Sequence, residues 1–134
     1  MGLTVSRPVV IKAIVTESFK RLYIQDLEDA IKRVDAFEQQ LDSQIRRAEL
    51  ERTVTPQSRA LRQQLELERA RQEATRAELE TRLREALQLA LNSEFSQGTV
   101  ESLVEVKVGD NLFTKLSRAE IVVKDGIILE IREE

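Results

Sequence analysis

The sequence predicts an α+β protein in which a long antiparallel coiled-coil helical hairpin is carried on a small β-sheet head. The middle of the chain, 17–93, contains no glycine and one proline, and it is rich in Glu, Arg, Gln, Leu and Ala, which favour helix. Runs of Val and Ile, which favour strands, flank it at 8–16 and within 99–134. Because a lone strand leaves its backbone groups unpaired, we expect one sheet built from both ends of the chain.

The N-terminal strand and the two long helices have clear boundaries in the sequence. The segment 8–16 reads Pro-Val-Val-Ile-Lys-Ala-Ile-Val-Thr, a β-branched run bounded by a proline, and it is predicted to be the N-terminal strand of the head. The helical zone divides at 53–56, which reads Thr-Val-Thr-Pro. Proline suits the first turn of a helix, so Thr55 is the expected N-cap of a second helix over 56–93, after a first helix over 17–52.

Both predicted helices carry an apolar stripe along one side. In the first helix the apolar residues recur at steps of three and four, close to the 3.5-residue repeat of a coiled coil. These residues are Ile24, Leu27, Ile31, Val34, Phe37, Leu41, Ile45 and Ala48. The second stripe comprises Leu61, Leu65, Leu79, Leu83, Ala86 or Leu87, and Ala90.

Folding the two helices antiparallel about Val54 brings residues whose numbers sum to about 111 opposite each other. Large side chains then face small ones, which fills the space between facing layers. The expected pairs are Val34 with Ala77, Phe37 with Ala74, and Leu41 with Ala70. The many charged residues of the second helix have two interpretations: solvated faces with i,i+4 pairs, or contacts that set the register against another subunit.

The C-terminal head, 99–134, begins with an alternating strand at 103–108, followed by a turn at 109–111. Two further β-branched runs, 119–124 and 127–132, flank Asp125-Gly126, and this dipeptide is a strong signal for a type I′ hairpin. With Lys124 opposite Ile127, both faces of the hairpin are apolar and need to be covered by the chain's own helices, by its first strand or by another chain. The candidate oligomer interface is one face, comprising Val122, Ile127, Leu129 and Ile131. The opposite face comprises Ile121, Val123 and Ile128.

Two stretches of the head, Val104-Glu-Val-Lys-Val-Gly-Asp110 and Glu120-Ile-Val-Val-Lys-Asp-Gly-Ile-Ile-Leu-Glu-Ile-Arg132, resemble the YlqD family of bacterial proteins. The N-terminal strand and the length of the helical zone are also similar to that family. The resemblance implies no reaction and no catalytic residue, because the family is uncharacterised. In some bacteria its genes lie among genes for ribosomal proteins and RNA maturation, which implies a connection with the ribosome.

The composition excludes most catalytic chemistry. With no His and no Cys, the chain has no thiol nucleophile, disulfide, zinc finger, iron–sulfur cluster or Ser-His-Asp triad. It has no P-loop, GxGxxG or HExxH motif. Asp110 and Asp125 could form a carboxylate pair, but Asp beside Gly in a turn is far more often a turn former. We expect no enzymatic activity, no cofactor, no metal and no small-molecule substrate.

The charge of the whole chain gives no reason to expect binding to a membrane. Lys and Arg number 21 against 24 Asp and Glu, a net charge of −3. No apolar run approaches the roughly 18 residues of a membrane span, and the N-terminus lacks the basic and apolar regions of a secretory signal. We predict a cytoplasmic protein with no membrane partner.

Two functions remain open. The first is a self-associating structural or interaction protein with a projecting helical hairpin, because the two-sided apolar hairpin needs cover and small proteins with such surface usually assemble. The second is a ribosome- or RNA-associated factor that uses a basic hairpin tip, because the segment 46–62 contains five arginines and two glutamates. The candidate tip residues are Arg46, Arg47, Arg52, Arg59 and Arg62.

Overall fold

The computed structural model describes residues 1–51 and 53–133, and it has the α+β architecture that the sequence predicts. Its elements are β1 (Leu3–Ile14), α1 (Glu17–Glu49), α2 (Pro56–Leu87), β2 (Glu94–Val106), α3 (Leu112–Lys115), β3 (Ala119–Lys124) and β4 (Ile127–Glu133). They form two compact units. The sheet unit comprises Met1–Lys20 and Leu89–Glu134, and the helical unit comprises Arg21–Gln88.

The four strands form one mixed sheet in the order β2-β1-β3-β4. β1 pairs antiparallel with β2 and parallel with β3, and β3 pairs antiparallel with β4. The N-terminal strand is therefore a central strand with C-terminal strands on both sides, which confirms that both ends of the chain build the sheet.

β1 and β2 are longer than predicted, β3 has the predicted bounds, and both long helices are shorter. β1 begins at Leu3 rather than at 8, and β2 begins at Glu94 rather than after 99. The cause is pairing between the two strands, which is continuous from Leu3 opposite Val106 to Ile14 opposite Glu94 apart from one register shift. Cross-strand hydrogen bonds hold these added ends in the sheet, including the start of β2, 94–98, whose sequence has a glycine and no regular alternation. The helices end at Glu49 and Leu87, several residues before 52 and 93.

The β3–β4 hairpin has the predicted turn but not the predicted faces. Asp125 and Gly126 have φ values of 49° and 83°, as a type I′ turn requires. A register shift between Val122 and Val123 makes Leu129 an extra residue in β4. Because side chains alternate along a strand, the shift places every later side chain of β4 on the face opposite to the predicted one.

As a result, the sheet has one apolar face and one charged face, and the expectation of two apolar faces is wrong. Ile131 lies opposite Ile121, whereas Glu130 lies opposite Val122. We call the first side the apolar face; it carries Val5, Val9, Ile11, Ala13, Val100, Val104, Ile121, Val123, Ile128 and Ile131. We call the second side the charged face; it carries Lys12, Glu94, Glu120, Glu130 and Arg132 around Val10 and Val122.

In the helical unit, three ion pairs between α1 and α2 show that the helices run antiparallel. Each pair joins residues whose numbers sum to the expected 111, so the predicted register is confirmed. The pairs are Arg62 with Glu49 at 3.2 Å, Arg69 with Asp42 at 2.7 Å, and Arg76 with Asp35 at 2.5 Å. Thr55 caps α2 as predicted, because its hydroxyl accepts a hydrogen bond from the Ser58 N–H.

The inward side of α2 agrees with the predicted stripe at Leu65, Leu79, Leu83 and Ala86, but not in the middle of the helix. The alanines expected to face α1 are exposed, as are Leu61 and Leu87, whereas Ala86 is buried. The partly buried positions instead follow Leu65, Arg69, Gln72, Arg76, Leu79 and Leu83. Long arginine stems therefore cover apolar side chains of α1 while their guanidinium groups reach acidic partners. Phe37 is likewise exposed, so it does not pack between the helices against Ala74 as predicted.

Candidate functional site

The two turn aspartates have structural partners. Asp110 accepts a hydrogen bond from the Lys107 N–H at 2.8 Å, and Asp125 accepts one from the Thr16 hydroxyl at 2.8 Å. Across 1–51 and 53–133, the structure contains no group of three or more His, Cys, Asp or Glu residues that could hold a metal ion. The same residues include no helix long and apolar enough to cross a membrane.

Arg132 is the centre of an ion-pair network on the charged face. Its guanidinium contacts Glu94 at 2.7 Å, Glu130 at 3.1 Å and Glu120 at 3.5 Å, and Glu120 also pairs with Lys12 at 3.2 Å. The hydrogen bond from Arg132 holds the pKa of Glu94 below its ordinary value, and the pKa of Arg132 is raised in turn. The network links all four strands and covers the valines beneath it.

The apolar face is exposed along its outer strands β2 and β4 and at the start of β1, whereas Val9 and Ala13 in its middle are buried. Leu3, Val100, Ile128 and Ile131 are all more than two-fifths exposed. The more central Ile121 is only partly buried. The ion pair between Arg7 and Glu133 lies on this side of the sheet at 2.9 Å, so its charges already compensate each other. This side of the sheet is an aliphatic surface with no uncompensated charge among the residues just described.

The four residues predicted as an oligomer interface do not share a face. Val122 is only 2% exposed, and it lies on the charged face, so it is a core residue rather than a surface residue. Ile127 lies on the same side but is 68% exposed, Ile131 belongs to the apolar face, and Leu129 is the extra residue of the register shift. The error arises because a one-residue bulge cannot be read from alternation alone.

An open cavity of about 460 Å³ adds to the apolar surface of the sheet unit. It is formed where the N-terminal end of β1 meets the end of β2 and the start of α3. Most of its lining side chains are aliphatic, among them Leu3, Val106, Val108 and Leu112. Asp110 also lines it, and this carboxylate is the one that accepts the Lys107 N–H.

The predicted basic tip is present at the turn of the helical hairpin. Arg46 and Arg47 lie in the last turn of α1, and Arg59 lies in the first turn of α2. All three are exposed and form no ion pair with any described residue. Arg62 differs, because it pairs with Glu49 and with Glu66 at 3.3 Å. Arg52 lies outside the described residues.

A ladder of ion pairs along the helical unit is a feature that the sequence interpretation missed. Arg62, Arg69 and Arg76 recur every seven residues, and each pairs both with an acid on α1 and with the Glu four residues later on its own helix. Hydrogen bonds to Asp42 and Asp35 raise the pKa values of Arg69 and Arg76, respectively. The signal was the shared heptad spacing of these arginines with the acids at 35, 42 and 49.

Comparison with known proteins places the chain in a family. No match is found among curated proteins. A crystal structure of a protein of unknown function from Synechococcus sp. WH 8102 has the same fold, with a TM-score of 0.82 and 27% sequence identity over 99% of this chain and 96% of that one. Residues 3–132 match the family described as YlqD protein, which confirms the resemblance of the C-terminal strands. The chain therefore belongs to the YlqD family.

Proposed function

We propose that this protein is a non-enzymatic interaction protein that associates with a second copy of itself through the apolar face of its sheet. The observation that carries the proposal is the exposure of the outer strands of that face, where Val100, Ile128 and Ile131 are open to solvent. Exposed aliphatic surface of this extent is unfavourable in water and typically marks a protein interface. The absence of His and Cys from the sequence supports the non-enzymatic part of the proposal.

The exposed part of the apolar face lies on the two outer strands and at the start of β1, because Val9 and Ala13 in the middle are buried. A contact between two copies through it would fall at the small end of protein interfaces, about 1,200 Å² in total or less. The exposed residues of the face are aliphatic and therefore pack best against another aliphatic surface, which a second copy supplies. Permanent interfaces between identical chains are among the most hydrophobic. Two such faces pack as a β-sandwich, with the sheets about 10 Å apart.

We expect Val100→Lys to halve the mass of the assembly. Val100 lies on the apolar face opposite Val9, and a lysine there places an unpaired charge inside the contact, raising the Kd roughly a hundredfold. Light scattering coupled to size-exclusion chromatography measures the mass across a range of micromolar concentrations.

Thr99→Lys is the matched control, because Thr99 is the neighbouring exposed residue of β2 on the opposite side of the sheet. It adds the same charge and should leave the mass unchanged. A wild-type protein that is monomeric throughout this concentration range, or a Val100→Lys protein of unchanged mass, would overturn the proposal.

A second candidate function is contact with RNA through the hairpin turn. The observation that favours it is the set of exposed arginines Arg46, Arg47 and Arg59, which no described acidic side chain neutralises. Arginine suits phosphate because its planar guanidinium donates paired hydrogen bonds to two oxygens. The ribosome, which exposes RNA, is the kind of partner that this surface would fit.

The test is the salt dependence of binding to fragmented ribosomal RNA, measured by fluorescence anisotropy. Replacing Arg46, Arg47 and Arg59 together with Ala should weaken binding and reduce the slope of log affinity against log salt by about 2, because each phosphate contact to single-stranded RNA contributes about 0.7. The control replaces Arg21, Lys32 and Arg33 with Ala, which removes the same charge from exposed positions elsewhere in α1. No retention of RNA by the wild-type protein at low salt, or equal weakening by the control, would refute this function.

A further inference from the structure

β4 is an edge strand whose C-terminal half, beyond its bulge, is open to pairing with another chain. One side of it pairs with β3, and no strand pairs with its other side among the described residues. Four of its seven residues are large, aliphatic and more than half exposed: Ile127, Ile128, Leu129 and Ile131. Natural edge strands are commonly blocked by proline, lysine or bulges. Here the bulge lies at Leu129, and the stretch beyond it, Glu130–Glu133, is regular in its pairing with β3.

The order of charges in β4 selects a single register for pairing with a second copy. When two identical strands pair antiparallel about a two-fold axis, one residue must face its own copy. A centre at Glu130 or at Arg132 places like charges directly opposite each other, which is destabilising. A centre at Leu129 coincides with the bulge. A centre at Ile131 avoids both problems.

In the register centred on Ile131, Glu130 of each copy faces Arg132 of the other. Both side chains already lie on the charged face, 3.1 Å apart within one chain, so the pairing adds two reciprocal ion pairs on that side. Ile131 meets its own copy on the apolar face, and Leu129 comes opposite Glu133.

From the free edge and this charge order, we propose that β4 pairs antiparallel with β4 of a second copy about Ile131, joining two sheets into one of eight strands. This inference extends the proposed self-association by naming a second contact, one that uses the strand edge rather than the apolar face. The two contacts depend on different residues and can therefore be tested separately.

Disulfide formation tests the register directly, because the natural chain contains no cysteine. Residues that face each other in an antiparallel pair have Cα atoms about 4.5 to 5.5 Å apart, within the range that a disulfide spans. Ile131→Cys should therefore form a covalent dimer under mild oxidation, seen on a non-reducing gel. Ile128→Cys is the control, since it is similarly exposed on the same strand and face but does not face its own copy. Packing of two apolar faces keeps the sheets about 10 Å apart, too far for this bond.

A charge variant tests the ion pairs. In the Ile131→Cys background, Glu130→Lys places two lysines against two arginines, and we expect the yield of covalent dimer to fall at least about tenfold. Glu101→Lys makes the same change in charge at an exposed position of β2 on the same side of the sheet and should leave the yield unchanged.

Equal cross-linking of the two cysteine variants, or an unchanged yield with Glu130→Lys, would overturn the β4 pairing. Neither result would bear on the apolar-face contact, because that contact is tested by the mass of the Val100→Lys protein. A monomeric wild-type protein would overturn both contacts.

Discussion

Replacing Leu41 with alanine should destabilise the helical unit by about 2–5 kcal/mol, the range for removing a large aliphatic side chain from a packed interior. Leu41 is 4% exposed, and it is one of two buried residues of α1. The loss combines the transfer of apolar surface with a cavity that two long helices can close only in part. Urea denaturation followed by far-ultraviolet circular dichroism measures the change in the free energy of unfolding.

Leu61→Ala is the matched control, because Leu61 belongs to the same apolar pattern but is 52% exposed. We expect it to change stability by no more than about 0.5 kcal/mol, as is usual for surface substitutions. An equal loss in the two variants would show that Leu61 packs against α1 and would contradict the structure of the helical unit.

Val15→Asp should unfold the sheet unit, at a cost of about 4 kcal/mol or more, because a buried carboxylate without a partner is among the most destabilising changes. The Val15 side chain is fully buried. Its backbone also joins the segment after β1 to the segment before β2, since its N–H donates to the Ser93 carbonyl and its carbonyl accepts from the Asn92 N–H, each at 2.8 Å. Hydrogen–deuterium exchange, read by peptide, should show loss of protection in β1 and β3.

Val54→Asp makes the same substitution at an exposed residue of the hairpin turn and should be nearly neutral. Unchanged protection of β1 in the Val15→Asp protein would mean that water or a cation reaches position 15 and that this junction is not closed.

The helical hairpin shows which parts of the fold local sequence can predict. The Thr55-Pro56 boundary and the antiparallel register were predictable, because capping and heptad spacing act between residues close in sequence. The side of α2 that faces α1 was predictable at Leu65, Leu79 and Leu83 but not in the middle of the helix, where the seam uses the stems of Arg69 and Arg76 in place of the expected alanines. A pattern that counts only apolar residues cannot recognise a long charged side chain as part of a core.

The candidate surfaces divide in the same way. The basic residues at the hairpin turn were visible in the sequence because charge needs no tertiary context, and Arg46, Arg47 and Arg59 are indeed exposed there. The interface set of the sheet was wrong in its grouping, since it combined the buried Val122 with the exposed Ile127 and Ile131.

The amino-acid sequence alone determined the order of strand, helical hairpin and β-strands, and membership of the YlqD family. It also determined the position of the helical hairpin turn before Pro56 and of the Asp125-Gly126 turn. Those features depend on backbone preferences and side-chain periods over a few residues. Only the tertiary structure decided that β1 lies between β2 and β3, and that the sheet is apolar on one side and charged on the other. Strand order and the bulge at Leu129 depend on hydrogen bonds between segments far apart in the chain, and no local pattern carries that information.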